Sequence, residues 1–390
     1  MTSNQNQILI CLGAGPSQVP VIRTAKQMGY DVVGIDRNLD APGVRIVDEF
    51  LNISTYETDQ VIRGLQTFKK HWFAGVLART SGPALHTAAA ISEKFLLPGL
   101  TREIIPLATE KSSLREFCWR NRLPIASGVR VKFHSEINGQ VVPPVIVKPD
   151  LPLVGKKAVR VLWDFADLAP AVADASRASG NGFVEVADYI EGFDGACLFW
   201  AHRGSADILT YWDELVAVRN DGRICGLGVS VPSVIESTGC QKEVERMVKD
   251  FCRHFQDVNA LLILAFRIDR QGRPSIIELH ADLGGDLIAD ELFPAADSRF
   301  DYFRLCVEIA TASAGEITRP TFQPSAILYL NECLKNGFQQ KQFARYHAQN
   351  LDALHALIGG AIDGRFLCSG KVSQHRAFQR NSRSTFEMAE

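Results

Sequence analysis

The sequence lacks any uninterrupted apolar run of the roughly 18–20 residues that cross a bilayer, and its start, Met1-Thr2-Ser3-Asn4-Gln5-Asn6-Gln7, has neither the basic nor the apolar region of a signal peptide. A soluble, cytoplasmic protein is expected, with no membrane partner. An excess of positive charge is also missing. Lys and Arg number 42 against 44 Asp and Glu, a net charge of −2, so no overall field is available to hold a phosphate backbone, and no nucleic-acid partner is expected. The nine cysteines include no Cys-x-x-Cys pair and their total is odd, which matches neither a disulfide framework nor a zinc site; most are expected as small core residues. There is no internal repeat and no low-complexity tract. What is there is bulk: 390 residues, 46% hydrophobic and 22% charged, more than one core usually holds, so two or three packed subdomains are expected.

The apolar run Ile8-Leu9-Ile10-Cys11-Leu12 breaks at Gly13-Ala14-Gly15-Pro16, and apolar residues then recur at helical spacing from Val19 to Met28. That pattern reads as strand, tight turn, helix. Further strands are expected at 32–35, 50–53 and 74–77, alternating with helices near 58–70 and 83–95, which implies a parallel sheet covered on both faces. From 101 to about 130 the pattern is helical. Beyond 141, short β-rich runs at 145–148, 183–186 and 197–200 surround one helix near 165–179. Residues 241–255 read as a helix, and 261–282 as two strands around a turn at Gln271-Gly272.

The Gly13-x-Gly15 turn opens like a dinucleotide fingerprint, and Asp36 stands about twenty residues on, at the end of the second strand, where an acid could hold a ribose hydroxyl. An NAD-dependent oxidoreductase is therefore one reading. Gln18 occupies the place of the third glycine, and a tight turn facing a substrate is the other.

Taken in order, Gly13-Ala14-Gly15-Pro16-Ser17-Gln18-Val19-Pro20, the stretch from Gly29 to Asp36, Asp48-Glu49-Phe50, Ala108-Thr109-Glu110-Lys111, Val147-Lys148-Pro149, Asp188-Tyr189-Ile190-Glu191-Gly192 and the stretch from Ile277 to Asp286 together resemble the ATP-grasp superfamily. The similarity is to carboxylate-amine ligases related to amino-acid ligases and the carbamoyl-phosphate synthetase large chain. It rests on the order and spacing of the pieces. It implies an α/β fold: a Rossmann-like parallel-sheet domain at 1–100, a linker and small lobe or lid at 101–190, and a large lobe with a C-terminal subdomain at 191–390. It also implies an ATP-dependent ligase that joins a small-molecule carboxylate to an amine through an acylphosphate, with a homodimer as a possible assembly. By the same resemblance Lys111 and Lys148 neutralise ATP phosphates. Gly155 and Lys156 belong to a flap over them, and the backbone of Asp188, Tyr189 and Ile190 reads adenine while Asp194 takes the ribose. Gly13, Gly15, Ser81, Asp213 and Gly285 fall on the substrate side.

The resemblance implies Mg²⁺ or Mn²⁺, with Glu278 as the central metal ligand and catalytic acid residue and His280 where the family has Asn. Counting across the hairpin places Ala265 opposite Glu278, so the first expected carboxylate is absent. The family's Arg after the Asn is Asp282 here, and Arg267 is the candidate that restores its charge for catalysis, with a structural ion pair as the other reading. These departures leave open a catalytically silent ATP-grasp protein that binds a nucleotide or metabolite.

Overall fold

A computed structural model describes residues 7–68, 72–137, 139–153, 158–219, 221–281, 287–329, 343–350, 352–353 and 356. The elements run β1 Gln7–Leu12, α1 Val19–Gln27, β2 Asp31–Ile35, β3 Glu49–Leu51, α2 Thr58–Leu65, β4 Trp72–Leu77, α3 Ala84–Phe95, α4 Ile105–Thr109 and α5 Lys111–Arg120. Next come β5 Gly128–Val131, β6 Val145–Pro149, β7 Arg160–Leu162, α6 Leu168–Arg177, β8 Val184–Asp188, β9 Gly192–His202, β10 Ser205–Val218 and β11 Ile224–Val231. The chain continues with α7 Cys240–Cys252, β12 Asn259–Asp269, β13 Pro274–His280, α8 Phe293–Ala296, α9 Tyr302–Ala310, β14 Ser325–Tyr329 and β15 Phe343–His347.

Among the described residues the strands form three sheets, ordered β3-β2-β1-β4, β5-β8-β6-β7 and β13-β12-β9-β10-β11-β14-β15. In the first, β1 pairs in parallel with both β2 and β4, as the alternating pattern predicts. The run 8–12 is wholly buried because helices cover it on both sides: Ile8 and Ile10 pack into one core and Leu9 and Cys11 into another. Strand β10 and helix α9 are long apolar elements for which no boundary was read in the sequence. In α9 the buried residues Tyr302, Leu305, Cys306 and Ile309 nevertheless recur at helical spacing.

The second sheet alternates sharply. Val145, Val147, Val184 and Val186 pack on α6, which turns Ile146, Lys148, Glu185 and Ala187 to the other face. This small sheet is a lid on the large one, hooked to it where the Val161 amide donates to the Gly222 carbonyl at 2.8 Å and the Ile224 amide to Val159 at 3.4 Å. Gly222 sits at φ +77°, and a Cβ there would lie 2.1 Å from the Val161 oxygen, so the approach requires glycine.

The large sheet is covered on one face by α7, against which Leu262, Leu264, Phe266 and Ile268 pack. The opposite face of β12 is split. Leu261 and Ile263 lie under α9 and the π-helical turn Ile288–Leu292, while Ala265 and Arg267 lie under the lid. A cleft between lid and sheet follows from that uneven cover. The first sheet is welded to the large one through α9, and a Cβ on Gly75 of β4 would stand 2.1 Å from the Ala310 carbonyl oxygen. Gly75→Ala should therefore destabilise the chain by about 1–3 kcal/mol. A urea midpoint equal to that of the parent protein would show that this contact does not hold the two sheets together.

Candidate functional site

The floor of the cleft depends on one extra residue. Counting from the sequence assumes a two-residue turn, but Ile268 pairs with Pro274 and the Asp269 amide donates to Arg273, leaving a three-residue loop at 270–272. A bulge at Ile277 then offsets the register by one, so Ala265 does face Glu278. The bulge also changes the alternation of β13. Ile276, Leu279 and Ala281 point into the core under α7, which leaves Glu278 and His280 on the cleft face. Beside Glu278 lie Ala265, 8% exposed, and then Ala196, which is buried in the core with Trp212.

Lys111 opens α5, and its Nζ donates to Glu278 Oε1 at 2.8 Å. Asp150, fully buried just after β6, holds the start of that helix: it accepts from the Ser112 amide at 2.8 Å, from Asn181 at 2.9 Å and from Arg130 Nε at 3.0 Å. Burial acts to raise the Asp150 carboxyl, but these donors hold it below the usual carboxylate range. Lys148 comes from the lid, 3.5 Å from Glu185 Oε1, and Glu185 also faces Arg115 Nε at 3.3 Å. Burial pushes the Lys148 ammonium down, with Glu185 opposing and Lys111 adding to the shift. At Glu278 burial works to raise the carboxyl. Lys111, His280 and Lys148 outweigh it and hold it down at about 2. Lys111 is 11% exposed and Glu278 33%, so the pair is sheltered yet reachable from the cleft.

At the far end of the floor, Arg267 forms a two-pronged ion pair with Asp194, its cross-strand neighbour, with Nη2 2.6 Å from Oδ2. Its remaining arm donates to the Ile190 carbonyl at 3.0 Å, and its guanidinium lies 5.1 Å from the Tyr189 ring centre. Arg267 thus sits in the ion pair that the sequence left as its second reading. Asp194, expected on a ribose, has both oxygens engaged by it. The Tyr189 amide donates to the Pro144 carbonyl at 2.9 Å and the Asp188 amide to the Ser127 carbonyl at 2.8 Å.

Asp213 is corrected by the structure. Expected on the substrate side, it instead shares a strand face with Tyr211 and is fully buried, accepting from the Ser233 hydroxyl and the Val234 amide. Glu214, one residue on, is the one on the cleft face, directly opposite Asp194. Glu185, Arg115 and Asp150 were not singled out in the sequence at all. Only Glu185 had a signal there, as an acid at a lid-face position of an otherwise apolar strand.

Gly13 has φ +96° and its amide donates to Ile35 at 2.8 Å. Asp36 is spent on the same turn, accepting from the Ala14 amide at 2.8 Å and the Asn38 amide at 2.9 Å. Gln18 fills the space beside Gly13 and Gly15 and donates to the Arg79 carbonyl. Arg79 in turn reaches the Ser17 carbonyl at 2.6 Å and pairs with Asp290, so the glycine turn, the loop bearing exposed Ser81 and the segment after residue 287 form one wall. Gly155, Lys156, Asp282 and Gly285 lie outside the described residues.

The donors on the floor do not fit a pair of divalent cations. Ala265 offers a methyl group where a second carboxylate is needed, and one Glu278 oxygen is taken by Lys111. Among the described residues, no three His, Cys, Asp or Glu side chains gather closely enough to share an ion. Nor is any helix among them long and apolar enough to cross a membrane.

A parallel-sheet domain, a small antiparallel lid and a large antiparallel sheet with lysines between them make up the ATP-grasp fold, and this chain has it. The L-amino acid ligase of Bacillus licheniformis superposes with a TM-score of 0.70 over 92% of this chain and 98% of that one, at 15% identity. N5-carboxyaminoimidazole synthetase of Staphylococcus aureus, complexed with ADP, also gives 0.70, over 91% and 97%, at 14% identity. In sequence, a formate-dependent phosphoribosylglycinamide formyltransferase of Cupriavidus taiwanensis is 21% identical over 190 residues, 45% of this chain and 47% of that protein. The match thus spans about half the length of this curated relative. No protein-family profile matches the chain.

The burial of Asp213 has a measurable consequence. Its carboxyl is pushed up to about 8 by burial, against the donors Ser233 and Val234, so the folded chain keeps a proton that the unfolded chain, titrating near 3.9, has lost. Stability should therefore fall as pH rises from about 4 to about 8, by at most roughly 1.4 kcal/mol per pH unit. Asp213→Asn keeps an acceptor for both donors and should flatten that slope in urea midpoints taken between pH 5 and pH 8. An unchanged slope would place the titration elsewhere.

Proposed function

We propose that the protein is an ATP-dependent ligase that joins a small-molecule carboxylate to an amine. The observation that supports this most is the convergence of Lys111 from the body and Lys148 from the lid on one cleft, beside Ala265 and the accessible Glu278. Two ammonium groups held at fixed positions in a sheltered site suit a polyphosphate, because they neutralise charge that moves during transfer without having to reorganise. The backbone from Asp188 to Ile190, where the lid meets the large sheet, would take the edge of an adenine.

In this reading a carboxylate oxygen of the substrate attacks the γ-phosphorus, the bond to the β–γ bridging oxygen breaks, and ADP leaves. The amine nitrogen then attacks the acyl carbon of the acylphosphate. A C–N bond forms, the bond to phosphate breaks, and the proton lost by the amine passes to water or to the departing phosphate. Lys148 and Lys111 hold the phosphates throughout, and no protein nucleophile is needed, so catalysis comes from positioning and charge. Glu185 and Arg115 set the place of Lys148, and Asp150 sets that of Lys111. The glycine turn at Gly13 and Gly15, with the loop of Ser81 and the wall built on Arg79, bounds the side where the carboxylate enters. A cytoplasmic location and a homodimer belong to the same reading.

A second reading, a silent nucleotide or metabolite binder, is favoured by Ala265 and by the engagement of Glu278 with Lys111. The two are separated by ADP and phosphate release measured over a panel of amino acids and other small carboxylates with candidate amines. Substrate-stimulated release is expected, and Lys148→Ala should lower it at least about 100-fold while weakening ATP binding. ATP binding without release on any substrate would favour the silent binder. Undiminished ATP affinity in Lys148→Ala would remove Lys148 from the site.

A further inference from the structure

We infer that this chain holds its nucleotide with little help from metal, the phosphates being met by fixed ammonium groups while Glu278 is engaged by Lys111 and faces Ala265. The inference rests on the nucleotide reading above and concerns what neutralises the phosphates. In a site built for two hard cations, carboxylates on neighbouring strands face each other and supply the oxygens. Here the residue facing Glu278 across the ladder is Ala265, and the next strand offers Ala196. The third floor position toward the strand end, His280, offers nitrogen, a poor donor for magnesium. The cation that does meet Glu278 is an ammonium. Lys111 Nζ lies 2.8 Å from Oε1 and is 11% exposed, so the contact is sheltered rather than a passing surface pair.

The charge count points the same way. Lys111, Lys148 and Arg115 face Glu278 and Glu185 across this end of the cleft, three cations against two carboxylates. Loss of a carboxylate at position 265 is what leaves the surplus positive. A floor with that surplus attracts a polyanion directly, whereas a floor with a second carboxylate would repel it until a cation arrived. Position 265 thus carries no acid to recruit a metal, and a fixed ammonium stands on the acid at position 278.

The test is a calorimetric titration of the full chain with ADP, once in excess magnesium and once in excess EDTA. Dissociation constants within about threefold of each other are expected, since less than 1 kcal/mol then depends on the metal. Ala265→Glu should create the missing dependence, binding ADP at least about tenfold more weakly in EDTA than in magnesium, and should bind Mn²⁺ in a metal-only titration followed by electron paramagnetic resonance. Lys111→Ala should weaken binding in EDTA more than in magnesium. ADP binding by the parent chain that needs magnesium by about thirtyfold or more would overturn the inference and leave the nucleotide reading standing. Absence of ADP binding in both buffers would bring down that reading itself. The parent comparison requires no variant to fold, so it decides the matter alone.

Discussion

Three cations at one end of a cleft cannot be buried without acids to meet them, and the site is organised around that constraint. Glu278 meets Lys111 and Glu185 meets Lys148 and Arg115, and both acids reach those places through backbone devices. Glu185 is turned inward by the strict alternation of β8, whose valines are fastened to α6. Glu278 is turned inward by a bulge, without which residues 276 and 278 would share a face and the carboxylate would be directed into the apolar core under α7. One inserted residue thus decides whether the site exists.

Much of this was legible in the sequence. The βαβ order of the first hundred residues follows from apolar runs and glycine breaks, and Lys148 stands out because Val-Ile-Val-Lys is an unusual place for a solvated ammonium, whereas Lys111 is marked only by the family resemblance. The position of Ala265 opposite Glu278 was also legible, although through two errors that offset each other, a loop longer by one and a strand longer by one. Side-chain partners were less legible, because they lie far apart in the chain. Arg267 and Asp194 are separated by 73 residues, and Lys111 and Glu278 by 167. Nothing local marks Asp213 as buried either, since its neighbour Glu214 shares its charge and only the strand's pleat separates their fates.

The N-terminal turn shows how one residue type redirects a motif. With glycine at position 18 the turn would be bare. With Gln18 it is filled and tied to Arg79, and Asp36 is drawn in to brace the Ala14 amide. The turn becomes part of a wall shared by three segments, which is a different use of the same loop geometry from cradling a dinucleotide.

The hook between Val161 and Gly222 has a mechanical meaning. Lys148 and Glu185 both ride on the lid, while Lys111 and Glu278 both belong to the body, so neither pair is stretched when the two parts separate. The Arg115–Glu185 contact does cross, as do the bonds from the Lys111 and Ser112 amides to Asp150, but these are sheltered, and the attachment at the Gly222 edge is a pair of backbone hydrogen bonds between neutral groups. Added salt screens exposed charges far more than it weakens such bonds. The attachment of the lid should therefore answer little to ionic strength, whereas the proposed grip on a polyanion should answer to it strongly, so that the two parts of the cleft's work depend on different properties of the solvent.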